Sequence, residues 1–285
     1  MGTVTSVGNR SLGTNRAPSP GTLAGVTEHQ HPQPQTEGAR RQLAAATAAL
    51  DWRGRLPELP DVEAAREAAV LMLFGVLDRV PAMTPDAAVA RDLDVLLQRR
   101  APTLASHPGE ISFPGGRREP TDANAAATAL REAEEETGLD PTSVEVLATL
   151  PDAPLLASNH RVTPVLGWWT APTRVAAVDH AETVEVLRVP VAQLLNPGAR
   201  FTTVVRFGTR AFRGPAFDID GLVVWGFTAM LLDRLFDAAG WTVPWDTADE
   251  REVVRRGSSP VDPPPPRPAN RGEHSENGHG VGPEA

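Results

Sequence analysis

The sequence predicts an α/β (α+β) body in which helices alternate with the strands of a mixed sheet. Three observations carry that expectation. Short runs rich in β-branched and apolar residues recur at Leu93–Gln98, Val144–Leu150, Arg161–Trp169, Val184–Val189 and Phe201–Phe207. An alanine-rich stretch with helical spacing, Asn124–Thr137, ends on Gly138, a residue suited to a helix C-terminus. Both ends of the chain lack such patterns and are rich in Gly, Pro and polar residues.

The elements follow in order. Residues 1–38 read as a disordered tail, because they hold too little apolar surface to offset the entropy of ordering. The folded body spans 39–256 as a single domain with a helical extension at its start. Val62–Asp78 has a strong apolar face and reads as a helix, Leu93–Gln98 as a strand, and Ile111–Phe113 as a short strand ended by Pro114-Gly115-Gly116. After the alanine-rich helix come strands Val144–Leu150, Arg161–Trp169 and Val184–Val189, the last leading to a short helix near Val191–Leu195. Phe201–Phe207 and Leu222–Trp225 read as strands and Thr228–Ala239 as a helix. Residues 257–285 form a second tail, whose Pro263–Pro266 run favours polyproline II.

Composition narrows the function classes. The chain has 285 residues and a net charge of -9, which argues against a general nucleic-acid coat. It has no cysteine, so disulfides and thiolate chemistry are excluded, and all 27 of its basic residues are arginine. Any cationic side chain on a phosphate is therefore a guanidinium, apart from histidine. No long apolar stretch and no secretory signal is present, so a cytoplasmic protein without membrane contact is expected.

The sharpest feature is Arg131-Glu132-Ala133-Glu134-Glu135-Glu136-Thr137-Gly138-Leu139. Glu132, Glu135 and Glu136 stand at i, i+3 and i+4 and share one helix face beside an apolar one. Clustered oxygen donors match Mg²⁺ or Mn²⁺; a solvated acidic face is the other reading. The preceding turn, Phe113-Pro114-Gly115-Gly116, exposes backbone that can join a metal or a substrate, and Arg117 and Arg118 follow it.

This segment resembles the signature of the Nudix hydrolases. The second half of the pattern runs from Arg131 to Leu139 in full, and the first half begins at Gly116. Asp122 stands where that family has Glu, and its distance to Arg131 is one residue longer than usual. The coenzyme A pyrophosphatase-like subgroup shares this departure. The chain also resembles that subgroup in Leu96-Leu97-Gln98-Arg99-Arg100 and in His107-Pro108-Gly109-Glu110-Ile111-Ser112-Phe113-Pro114-Gly115-Gly116, though Ala105 stands where the subgroup has Arg. Val162–Val165, Glu182–Val191 and Val224–Ala229 extend the likeness.

The resemblance implies an α/β/α sandwich with a partly curved sheet and metal-dependent cleavage of a diphosphate. Coenzyme A or an acyl form is the expected substrate; ADP-ribose, NADH or a nucleoside triphosphate is the alternative, and a silent nucleotide-binding module the third. Glu132, Glu135, Glu136 and the Gly116 carbonyl would hold Mg²⁺ or Mn²⁺, with Arg131 orienting a carboxylate. The general base would be Glu182 or Glu132, with Glu185 near by. Arg99, Arg100 and Arg117 are candidates for the substrate phosphates, Arg99 first, with Gly115 offering backbone and His107 ordering the loop. Asp122 would cap or order the helix. Trp168, Trp169 and Trp225 would stack on a base or pack in the core. A homodimer is common among such proteins.

Overall fold

The computed structural model describes residues 38–50, 59, 61–77, 89–104, 107–207 and 210–253. Both expected tails (for 1–38, all but Gly38), the polyproline II run and Ala105 lie outside the described residues. The first element is helix α1, Ala39–Ala49, and the second is a long strand, β1, Arg66–Val76. The helix expected over Val62–Asp78 is thus corrected to a strand. The reason is burial on both faces. Ala69, Leu71 and Leu73 face one apolar layer, while Met72 and Phe74 face another. A strand covered on both sides needs an unbroken apolar run, and such a run carries no alternation to distinguish it from a helix.

Strand β1 is the spine of the main sheet. It pairs antiparallel with β2 (Leu93–Arg100) near its C-terminal end and with β4 (Gly115–Arg117) near its N-terminal end. Its other edge runs parallel to β7 (His160–Trp169) from Arg66 to Phe74. Strand β3 (Ile111–Ser112) adds to β2, whose far edge carries β8 (Thr183–Pro190). Strands β5 (Val144–Thr149) and β6 (Ala153–Leu155) pair with β7. The sheet is therefore mixed, as expected. Between the stretches of this β1 edge taken by β2 and β4, Leu71 N donates to Pro114 O.

Helix α2, Ala125–Thr137, covers one face. Asn124 caps it by accepting from Ala127 N at 3.0 Å, and Gly138 ends it in the left-handed region at φ 67°. Ala129 and Ala133 are buried against Ala69, Leu71, Leu73 and Val165. Small side chains let the helix lie close to the sheet and hold its glutamates at the margin.

The opposite face is covered by α1, by α4 (Gly226–Ala238) and by a second sheet in the order β11-β10-β9-β12. Its strands are β9 (Arg200–Phe207), β10 (Arg210–Ile219), β11 (Leu222–Val224) and β12 (Glu250–Glu252). A four-residue helix, α3 (Val191–Leu194), precedes it. Phe74, Phe217, Phe236 and Trp241 meet mostly edge to face across this layer. Strand β10 is hidden in the sequence by Gly214-Pro215. At Pro215 it pairs with β9 alone, because β11 reaches only Phe217–Ile219, so the missing N–H leaves no gap in a ladder.

Candidate active site

The site grows from one buried acid. Glu136, on the sheet-facing side of α2, is 5% exposed. Its Oε2 accepts from Gln98 Nε2 at 2.7 Å and from Gly115 N at 2.9 Å. Gln98 is itself fixed, since its Oε1 accepts from Thr183 Oγ1 at 2.9 Å. Burial pushes the Glu136 carboxyl up to about 7, against those two donors and the nearby Arg100. Glu132 is also raised, chiefly by burial and with Arg131 opposing. Glu135 is exposed and meets Arg131 Nη1 at 3.0 Å.

Arg131 ties the helix to the loop before it. Its Nε and Nη2 donate to the two Asp122 oxygens at 3.1 and 3.0 Å, Nη2 also donates to Arg117 O at 3.0 Å, and Nη1 lies 3.2 Å from Glu132 Oε1. Asp122 further accepts from Glu119 N and from Thr128 Oγ1. The Arg131 guanidinium holds the Asp122 carboxyl well below the usual carboxylate range. Asp122 therefore orders the helix start from outside, and the cap is Asn124.

The two glycines of β4 are required by contact. A Cβ on Gly115 would stand 2.3 Å from Ala69 O, and its φ of 154° disfavours L side chains. A Cβ on Gly116 would stand 2.5 Å from the Glu132 carboxylate. Strand β4 thus touches the glutamates on one side. On the other it lines a cavity of about 860 Å³ between the main sheet, β9, β10 and α4.

A family model described as NUDIX domain matches residues 83–203. The Nudix hydrolase NudL of Photorhabdus laumondii is 36% identical over 143 residues, covering 50% of this chain and 74% of that protein. The chain belongs to the Nudix hydrolase family. Nudix hydrolase 22, chloroplastic, of Arabidopsis thaliana is 38% identical over 149 residues, but the match spans only 49% of its length. Among solved structures, a Nudix hydrolase of M. smegmatis, RenU, aligns at 24% identity with a TM-score of 0.34 over 44% of this chain and 70% of that one.

Within this Nudix chain, the structure brings Arg131, Glu132, Glu135, Glu136, Gly115 and Gly116 together. Glu182 ends the turn before β8, close enough to add to the proton affinity of Glu132. Arg117 and His107 line the cavity, and His107 is satisfied by Glu110 Oε2 at 2.8 Å. Arg99 lies exposed beside Glu185 at 3.9 Å and is not among the residues that line the cavity. Its neighbour Arg100 is, and its Nε is buried without a hydrogen-bond partner. Trp168 and Trp169 are core residues, whereas Trp225 lines the cavity.

No motif gives Gln98 a role, although an amide directly after Val95-Leu96-Leu97 in a strand is a usable signal. Arg66 and His160 also line the cavity, with no motif to mark them. No described helix is long and apolar enough to cross a membrane.

The donor set fits a divalent cation in kind. It consists of carboxylates and a backbone carbonyl, and Glu136 is an acid buried without a salt-bridge partner among the described residues. Among the described residues, no three acidic or histidine side chains already stand in a metal-holding group. Glu135 is instead held by Arg131.

Proposed function

We propose that this protein hydrolyses a diphosphate bond in a nucleotide-linked small molecule, with Mg²⁺ or Mn²⁺ held by Glu132, Glu135, Glu136 and the Gly116 carbonyl. The observation that carries this reading is the buried Glu136 carboxylate bound to the Gly115 amide, on a glycine strand whose other side opens to an arginine-lined cavity. A bound cation would polarise the phosphoryl oxygens and activate water. The chain's own residues do the rest. Arg131 orients the carboxylates. Arg100 receives oxygens of the diphosphate from the cavity side. Glu132, whose proton affinity is raised by burial, and Glu182, whose charge adds to that affinity, are our candidates to accept a proton.

The substrate class is a nucleoside diphosphate linked to a second group. Coenzyme A or an acyl form, cleaved to 3′,5′-ADP and a phosphopantetheine, is the finer expectation. It rests on the Leu96–Gly116 run, and the names of the relatives specify no coenzyme A substrate. The test is direct. Purified protein is given coenzyme A, ADP-ribose, NADH and a nucleoside triphosphate with excess Mg²⁺ or Mn²⁺, and products are separated by chromatography. Cleavage at the diphosphate, abolished by chelator, is expected for at least one compound. Absence of turnover for all of them with both metals refutes the reading.

A further inference from the structure

Arg66, Arg117 and His160 stand in one row on the sheet face that looks into the cavity, and all three line it. Register places them. Arg66 is directly opposite His160 across the parallel β1–β7 pair. Arg117 is opposite Ala68, two residues along β1, on the other edge. Residues two apart on a strand share a face, so the three side chains point the same way.

Like charges as cross-strand neighbours oppose folding. Yet among the described residues neither arginine side chain has an acidic partner. His160 Nδ1 meets Ser158 Oγ at 2.8 Å, leaving Nε2 as the ring nitrogen free to face a ligand. Other arginines of this acidic chain do find acids: Arg118 and Arg161 take Glu67, Arg131 takes Asp122 and Arg213 takes Glu250. Glu67, next in sequence to Arg66, points to the opposite face. Burial, with Arg66 and Arg117 close by, holds the His160 imidazole below its ordinary range. Two exposed guanidiniums with no acid paired to them, beside an imidazole whose Nε2 faces the same way, are arranged for an anion that arrives from outside.

We propose that Arg66, Arg117 and His160 form a subsite for a phosphomonoester that the substrate carries apart from its scissile diphosphate. The inference rests on the proposed function, because it takes the cavity as the substrate's place. Arg100, beside Glu136, is a separate anion post for the diphosphate itself. A cavity of about 860 Å³ has room for a nucleotide that spans both. The ligand class is therefore a nucleotide whose ribose bears a second phosphate.

Binding is measured first, by calorimetry on metal-free protein, with 3′,5′-ADP and 5′-AMP as probes. The second phosphate should tighten binding by roughly tenfold or more. Arg66→Gln and His160→Gln should each remove most of that advantage, while Arg66→Lys retains part of it. Arg40→Gln, on α1 and paired with Glu145, should leave it whole. Turnover then compares coenzyme A with dephospho-coenzyme A and NADPH with NADH, read as ratios of kcat/KM. Equal binding of 3′,5′-ADP and 5′-AMP overturns the subsite. So does a preference that survives both Arg66→Gln and His160→Gln. Equal hydrolysis of both members of each pair overturns its role in substrate choice and leaves the diphosphatase reading standing. Preferential binding without any hydrolysis overturns the diphosphatase reading and leaves the anion site.

Discussion

Replacing Glu136 by Gln should stabilise the metal-free protein and abolish hydrolysis. A carboxyl that burial pushes up to about 7 binds its proton more tightly in the folded chain than in the unfolded one, where 4.5 is ordinary. Its contribution to stability is fully present below pH 4.5 and is lost as pH rises through 7. At about 1.36 kcal/mol for each tenfold change in proton affinity, the loss at pH 8 is about 3 kcal/mol. Gln removes the charge and keeps an oxygen in place to accept from Gln98 Nε2 and Gly115 N.

Urea unfolding followed by tryptophan fluorescence, with chelator present, should therefore show Glu136→Gln more stable than the parent at pH 8. The magnitude should approach 3 kcal/mol and shrink towards zero near pH 4. Excess Mg²⁺ should stabilise the parent and do little for the variant, because binding to the folded state alone raises stability by mass action. Hydrolysis should fall by about 10³-fold or more. A variant no more stable than the parent at pH 8 without metal would refute the account of Glu136 as a buried charge awaiting a cation.

Four further perturbations act on its neighbours. Gly115→Ala should cost at least about 3 kcal/mol of stability, since the new Cβ meets backbone at Ala69 and Val70. Gly116→Ala meets the end of the Glu132 side chain first and should spare the melting temperature while lowering kcat by about tenfold or more. Arg131→Lys keeps a charge but loses the fork that spans Asp122, Arg117 O and Glu135; the Mg²⁺ concentration for half-maximal rate should rise by about 10–100-fold. Gln98→Leu removes a donor that lowers the proton affinity of Glu136, so the acid limb of the pH–rate profile should move up by about one pH unit.

The sequence made α2 legible because every level agrees there. Asn124 caps, Gly138 terminates, alanines pack, and the i, i+3, i+4 spacing keeps the glutamates on one margin. It misled at β1, where a strand buried on both faces has lost the alternation that marks one. It reads a turn at Phe113–Gly116, where β4 begins at Gly115, and it is silent on β10 and on β6 and β12, whose three-residue ladders leave no periodicity to detect. The same limit explains the arginines. Arg99 and Arg100 are adjacent, and a register shift between them where β2 meets β8 decides which one turns into the cavity. No local pattern encodes that bulge. Arg66, Arg117 and His160 are separated by tens of residues and meet only through the registers of β4 and β7 on β1.

Strand β4 explains why the glutamates and the cavity can serve one reaction although none of Glu132, Glu135 and Glu136 lines the cavity. Across most of the sheet the two faces are insulated by a full layer of side chains. At Gly115-Gly116 that layer is absent. The Gly115 amide holds Glu136 on one side, the Glu132 carboxylate rests on Gly116, and both glycines border the cavity on the other side. A side chain at either position would push the acids away or part β4 from β1. The need for two glycines follows from this thinness of the wall, and so does the unfavourable burial of Glu136. In the proposed reaction a carboxylate would have to be brought to the wall, and partly stripped of water, for the cation it holds to reach a phosphate at the cavity edge. In the proposed reaction, the stability forgone at Glu136 and the unpaired guanidiniums of Arg66 and Arg117 are two halves of one arrangement. The buried acid would be relieved by the cation, and the two guanidiniums would be paired by the anion, that a diphosphate substrate and its metal bring.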